Sequence, residues 1–341
     1  YKDELILNNN YNSSGRSYTH LCVDDTLRYI FAANYHIGAT ASYQLDNKTI
    51  TQKISAVRHK GLGPDLLKRQ TGPHAHYVGI TPDKQFVYSV DLGADKVVMY
   101  RFHQGVLLED ADYTLNVIPG SGPRHMIFSY DGRFAYLVNE IANNIMVFKY
   151  SEGRFSLIQA IHCIPRHFKG FSSASAIRMT STGEHLFVSN RGHDSIAMYR
   201  VNKESGKISL LYMVHTGKGP RDFHIINDQF LIVGCQSDNQ LQVLTFDEDN
   251  EKLLMSDSTI DLPAPVSPVI ILRPSLNSTS ALSTKARFFT DKLSSIIYLL
   301  IYYLSDMMHR RINRHQLAYF IHNCFCLVCC TDSTHYCIIS C

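Results

Sequence analysis

The sequence predicts an all-β protein organised as a β-propeller, and three observations predict it. A unit of about fifty residues recurs five times, the period of a propeller blade. Each unit carries three short apolar or alternating runs separated by turn residues, then a polar stretch long enough for a fourth strand. No stretch of these units shows the 3.6-residue period of a long amphipathic helix. Leucine-rich, ankyrin and helical repeats have the wrong period and no such strand pattern, and two-sheet sandwiches do not repeat internally.

The copies align on their central turns. The first, SYTHLCVDDTLRYIFAANYHIGATASYQL, starts at Ser17 and turns at Asp24-Asp25. The second, GPHAHYVGITPDKQFVYSVDLGADKVVMYRF, starts at Gly72 and turns at Pro82-Asp83. The third, GPRHMIFSYDGRFAYLVNEIANNIMVFKY, starts at Gly122 and turns at Asp131-Gly132. The fourth, SASAIRMTSTGEHLFVSNRGHDSIAMYRV, starts at Ser173 and turns at Thr182-Gly183. The fifth, GPRDFHIINDQFLIVGCQSDNQLQVLTF, starts at Gly219 and turns at Asn227-Asp228. Gly-Pro before a strand and Asp-Gly inside a hairpin are turn chemistry. The closing aromatic residue falls at Tyr43, Tyr100, Tyr150, Tyr199 and Phe246. Blades are therefore expected over 17–45, 72–102, 122–150, 173–201 and 219–246.

Repeat symmetry also selects a site. The innermost strand of each blade lines a central channel, so equivalent positions face equivalent places around the axis. The Arg124 position is filled by Thr19, His76, Arg124, Ser175 and, after a short deletion, Arg221. The Glu140 position is filled by Tyr35, Leu92, Glu140, Arg191 and Gln236. His76, Arg124, Glu140 and Arg191, together with Arg221 and Gln236, are expected to converge at one rim. Charged residues set into such a ring are costly unless they meet a ligand or each other.

Composition narrows the function. A chain of 341 residues with 45% apolar content can bury a sizeable core. Its 33 basic and 30 acidic residues nearly balance, which excludes a strongly basic nucleic-acid surface. Residues 1–276 hold only Cys22, Cys163 and Cys235, the usage of a reduced cytoplasmic protein. No charged start with an apolar core marks a secretory signal, and KDEL at Lys2–Leu5 carries no address away from a C-terminus. The Asn12 and Asn47 sequons would matter only in a secreted chain. The apolar run Ile296–Leu304 is far short of the roughly twenty residues a membrane helix needs.

Metal and nucleophile signals are weak. Cys324, Cys326, Cys329 and Cys330 crowd together with no second ligand pair. His74 and His76 share a strand face, yet no carboxylate follows at ligand spacing. His193-Asp194-Ser195 names a hydrolase triad, but neighbours on an extended chain face opposite ways. The expectation is no metal, no cofactor, no nucleic-acid partner and no membrane association.

The stretches GPHAH (72–76), VDLGADKV (90–97), GSGPRH (120–125), YLVNE (136–140), SAIRM (175–179), SNRGHDSI (189–196) and GPRDF (219–223) carry a family likeness. With them the chain resembles the seven-bladed propeller lactonases, which include propeller-type 6-phosphogluconolactonases and fungal carboxy-muconate cyclases. The resemblance implies a lactonase domain over 1–271, incomplete at its N-terminus. The text from 272 to 341 departs from the family and reads as a foreign extension, disordered or artefactual. The implied activity is hydrolysis of a sugar lactone, 6-phosphogluconolactone to 6-phosphogluconate, in the pentose phosphate pathway. A carboxy-muconate-type cyclase and a non-catalytic binding platform are the alternatives.

The family's proposed site is a histidine, two arginines and a glutamate, which fall here on His76, Arg124, Glu140 and Arg191. These are the residues that repeat symmetry selects. Lactone hydrolysis needs an attacking water, a proton acceptor and stabilisation of the oxyanion. Arg191 and Arg221 suit an anion clamp, and Arg124 suits oxyanion stabilisation. Glu140 and His76 form the acid–base pair, with Glu140 favoured as base because flanking arginines keep it ionised. The expected partner is a small-molecule lactone.

Overall fold

In the computed structural model the described residues are 18–26, 28–46, 49–65 and 68–267, plus the backbone of two short strands, Cys326–Cys329 and Tyr336–Ile339. All regular elements among them are strands. The first blade runs β1 (His20–Val23), β2 (Tyr29–Asn34), β3 (Ala39–Asp46), β4 (Thr49–Arg58). The second runs β5 (Ala75–Ile80), β6 (Val87–Asp91), β7 (Lys96–His103), β8 (Val106–Glu109), and β9 (Leu115–Asn116) returns to pair with β7. The third is β10 (Pro123–Phe128), β11 (Phe134–Asn139), β12 (Asn144–Ser151), β13 (Arg154–His162). The fourth is β14 (Ser173–Met179), β15 (His185–Arg191), β16 (Ser195–Val201), β17 (Ile208–His215). The fifth is β18 (Pro220–Ile226), β19 (Phe230–Cys235), β20 (Gln240–Asp247), β21 (Lys252–Asp261). Each sheet is antiparallel with its strands in chain order.

The five sequence copies are thus five four-stranded sheets, with β9 added to the second. The fourth strand lies in the polar stretch after each closing aromatic. Beyond the fifth blade, 272–325, 330–335 and 340–341 lie outside the described residues. The strands Cys326–Cys329 (β22) and Tyr336–Ile339 (β23) pair with each other as a two-stranded sheet.

Burial explains the patterns. The second strands β6, β11 and β15 are buried almost end to end, because both faces are covered by neighbouring blades. The outermost strands β13 and β17 have one face against solvent and carry polar or half-exposed positions. The apolar clusters sit between blades: Met126, Leu137 and Met146 of the third pack on Tyr88, Val97 and Met99 of the second. The closing aromatics Tyr43, Tyr100, Tyr150, Tyr199 and Phe246 are all buried. Each contributes on the order of 1.5–3 kcal/mol of burial.

One polar device recurs in all five blades. The hairpin between second and third strands carries Gly38, Asp95, Asn143, Asp194 or Asn239, each with φ between +51° and +57°. Glycine, Asn and Asp tolerate this left-handed region best. The carbonyl of each accepts a backbone N–H from the chain leaving the outer strand: His59, Val117, Cys163, Thr216 and Leu262. The Asp95 carboxylate also accepts the N–H groups of Gly120 and Gly122, at 2.7 and 2.8 Å. Asp194 accepts Gly219 N–H at 2.8 Å. These hooks pin the segments that enter β10 and β18, just ahead of Arg124 and Arg221.

A buried network ties the first two blades. His59 Nδ1 lies 2.6 Å from Asp91, and its Nε2 faces Tyr100 Oη at 2.6 Å and Thr40 Oγ1 at 3.0 Å. Every member has a partner, the condition under which buried polar groups stabilise rather than cost.

Candidate active site

The inner strands β1, β5, β10, β14 and β18 neighbour one another around the axis. Four of them break register at the same place. The pairing skips between Ala75 and Tyr77, Pro123 and His125, Ala174 and Ile177, and Pro220 and Asp222. The bulged residues include His76, Arg124, Ser175 and Arg221, the slot that the repeat singles out. A bulge turns an extra side chain out of the ladder, and bulges are over-represented beside active sites. Glu140 follows the end of β11, and its N–H donates to Gly122 O at 2.7 Å. That bond places it two residues from Arg124. Gly122 itself has φ +57°, and a Cβ there would press on Ile141.

The Glu140 carboxylate is the hub. Its Oε2 lies 3.0 Å from Arg124 Nε and 3.0 Å from Arg191 Nη2, which comes from the next blade. Arg69 Nη2 donates to Oε1. The Arg124 contact is an ion pair without hydrogen-bond alignment, so Nε has no hydrogen-bond acceptor. Arg191 Nη2 also donates to Ser173 Oγ at 2.8 Å. Glu140 is only 2% exposed and Arg124 4%. Burial alone would push the Glu140 carboxyl up, but Arg191, Arg124 and Arg69 together hold it far below the usual carboxylate range. Burial, then the neighbouring Arg191, makes the charged form of Arg124 costly, against the pull of Glu140.

His76 is buried, and its Nδ1 has no hydrogen-bond partner. Its ring lies 5.2 Å from the His125 ring and 5.8 Å from Tyr35, edge-on. Burial and then Arg124 hold its pKa well below the ordinary histidine value. Arg124 Nη1 donates to His125 Nε2 at 2.9 Å, so the proton of neutral His125 sits on Nδ1, which is buried and unpartnered. Arg221 Nη1 donates to Gln236 Oε1 at 3.4 Å, and its charge is felt by both His76 and Glu140.

The slots not filled by ionisable residues have other work. Thr19 Oγ1 donates to Ala75 O and Ser175 Oγ to Arg221 O, bonds that join one inner strand to the next. Leu92 is fully buried in the core. Tyr35 stacks on His74 with the rings 4.3 Å apart. Below the hub, His20 stacks on Tyr77 at 3.8 Å, Tyr77 meets His125 at 4.9 Å, and Arg178 pairs with Asp222 at 2.8 Å.

Arg124, Glu140 and Arg191 therefore meet in one hub, His76 lies beside it across the His125 ring, and Arg221, bonded to Gln236, joins them through its charge; the selection missed three more. Arg69 sits in the β4–β5 loop, outside the repeat. His125 and Tyr35 stood beside or within the aligned slots but carried no charge at neutral pH. One expectation about local geometry is corrected. His193-Asp194-Ser195 is a tight turn, with Asp194 at φ +52°, rather than extended chain. His193 Nδ1 consequently faces Ser195 Oγ at 2.8 Å. The Asp194 carboxylate is engaged by the N–H groups of Gly192 and Gly219 instead of by His193. The His74 ring N is likewise occupied, by Tyr35 O at 2.9 Å. Among the described residues no group of three or more His, Cys, Asp or Glu could hold a metal ion.

The family described as lactonase, 7-bladed β-propeller matches residues 2–270. The chain belongs to this family. The 6-phosphogluconolactonase of Bacillus subtilis is 35% identical over 268 residues, 77% of this chain and 76% of that protein. The periplasmic gluconolactonase of Pseudomonas aeruginosa superposes with a TM-score of 0.69 at 31% identity, covering 73% of this chain and 71% of that one. A Lactobacillus plantarum protein of solved structure gives the same score and identity, covering 73% of each chain. The lactonase blades seen here number five among the described residues.

Proposed function

We propose that this lactonase hydrolyses 6-phosphogluconolactone to 6-phosphogluconate. The observation that carries the reading is a charge surplus. Arg69, Arg124, Arg191 and Arg221 bring four positive charges against the single carboxylate of Glu140, so the group holds a net +3. A phosphate monoester brings about −1.5 to −2 at neutral pH. The developing oxyanion of an attacked carbonyl adds one more. Substrate and transition state together then match the surplus, whereas a neutral lactone leaves most of it unpaired.

The geometry supports the following roles. Arg124, at the centre with an unaligned Nε, stabilises the oxyanion. Arg191 and Arg221 bind the anionic substituent, and Gln236 orients Arg221. His76 takes the proton of the attacking water. Its environment keeps the ring neutral and its Nδ1 is free. Glu140 has both oxygens engaged by guanidinium groups, which suits an organiser of arginines better than a base. His76 accordingly takes the base role that ionisation state alone would give to Glu140. His76 then returns the proton to the ring oxygen as the lactone opens.

We assign this activity to residues 1–271 and leave 272–341 outside the lactonase domain. The free thiols Cys22, Cys163 and Cys235 fit a cytoplasmic setting. The test offers purified protein 6-phosphogluconolactone and a carboxy-muconate in parallel, each against its uncatalysed rate. Acid release from the first and no cyclisation of the second is the expected result. Cyclisation without hydrolysis would transfer the site to the cyclase branch of the family.

A further inference from the structure

Arg69 differs from the other arginines of the site in three ways. It comes from the connection between β4 and β5, so no repeat position corresponds to it. Its side chain is 37% exposed, against 4% for Arg124 and 19% for Arg191. It also holds a different oxygen: Arg124 and Arg191 share Oε2 of Glu140, and Arg69 alone holds Oε1.

Its backbone is nonetheless well anchored. The next residue, Gln70, is fully buried, with Nε2 donating to Leu92 O at 2.9 Å and Oε1 accepting Asp65 N–H at 3.2 Å. Gln70 N–H donates to Asp65 O, and Gly63 N–H to Gly93 O. The guanidinium therefore hangs from a fixed point at the edge of the site. It donates to Glu140 Oε1.

We propose that Arg69 is a specificity-determining residue, which exchanges Glu140 Oε1 for the phosphate of an anionic lactone as substrate enters. The inference rests on the proposed lactone hydrolysis. The two wall arginines suffice to hold Glu140, since both already lie on Oε2. Arg69 is the most exposed of the three cations on Glu140, so an anion entering from the rim reaches it first. Exchange costs the arginine little, because a phosphate offers the same bidentate geometry as a carboxylate. A neutral lactone offers no such exchange and leaves Arg69 on Glu140.

The test compares wild type with Arg69→Met, which keeps length without charge, and with Arg69→Lys. Calorimetry measures the binding of 6-phosphogluconate, and kinetics measure KM for 6-phosphogluconolactone and for the neutral gluconolactone. Arg69→Met is expected to weaken 6-phosphogluconate binding about 10- to 100-fold, the range for a charge-assisted bond. KM for the neutral lactone should change less than about threefold, with Arg69→Lys intermediate for the phosphate alone. Equal losses for both lactones would make Arg69 a support of Glu140 and overturn the proposal, as would an unchanged affinity for 6-phosphogluconate. A wild type that binds 6-phosphogluconate through Arg69 but hydrolyses neither lactone would sink the functional reading and leave this one standing.

Discussion

Replacing Glu140 by Gln keeps the shape of the hub and removes its charge. Three guanidinium groups then crowd a nearly inaccessible amide, with two of them at 3.0 Å in the parent structure. Removing one partner of a buried ion pair costs about 3–5 kcal/mol. For a domain of this size each kcal/mol moves the midpoint by roughly 2–4 °C, so Glu140→Gln should unfold about 10 °C below wild type. The sign with pH follows from the suppressed proton affinity of Glu140. Its contribution is fully present above the unfolded-state value near 4.3 and is lost progressively as pH falls toward the much lower folded value. The gap between variant and wild type should therefore be constant from pH 8 to about 5 and narrow in stronger acid.

The assay is thermal unfolding in an anion-poor buffer, repeated with inorganic phosphate. Phosphate at a hundredfold excess over its Kd adds about 2.7 kcal/mol. The variant should recover most of its loss, because phosphate replaces the missing carboxylate, and wild type should gain less. Asp131→Asn, which breaks an exposed pair with Arg133, is the control and should change stability by less than about 1 kcal/mol. A Glu140→Gln protein melting within about 2 °C of wild type, with equal phosphate responses, would refute the reasoning that this carboxylate neutralises the arginines.

Two further outcomes follow from the same structure. His20 is pushed down to about 3 and His224 to about 4, each by burial and then Arg178, and His76 and His125 are lowered by burial and then Arg124. The unfolded chain binds protons at these four sites below pH ~6.5, where the folded protein resists them, so stability is full above that pH and is lost by about 1.4 kcal/mol per unit for each histidine as pH drops below it; the urea midpoint should be lower at pH 5.5 than at pH 7.5, and an unchanged midpoint would contradict it. Asp95→Ala removes the acceptors of Gly120 and Gly122 N–H and places alanine at φ +52°; it should cost about 2–3 kcal/mol and lower kcat through a displaced Arg124, whereas Asp95→Asn, which keeps one of the two acceptor oxygens and tolerates the conformation, should lose less of both.

The blades were legible because repetition is a property of sequence, and equivalent residues meet equivalent neighbours. The slots of Arg124 and Glu140 were legible for the same reason, and the bulge that turns out the Arg124 slot recurs at the same register. The Asp/Asn hook was equally periodic, three residues beyond the Glu140 slot in every blade, with Gly38 standing in the first. The role of Asp95 and Asp194 was not legible, because their side-chain partners lie across the turn in the segment leading to the next blade. Arg69 was illegible on principle: it reaches Glu140 over 71 residues from a connection that has no counterpart to align with. Repetition supplies positions and leaves chemistry open. Thr19 and Ser175 occupy the slot of Arg124 and spend their hydroxyls joining neighbouring strands. His76, Arg124 and Arg221 occupy the same slot with longer side chains that reach one another and Glu140 instead. The candidate site exists where the repeat departs from its own pattern, and Arg69 adds to that asymmetry from outside it.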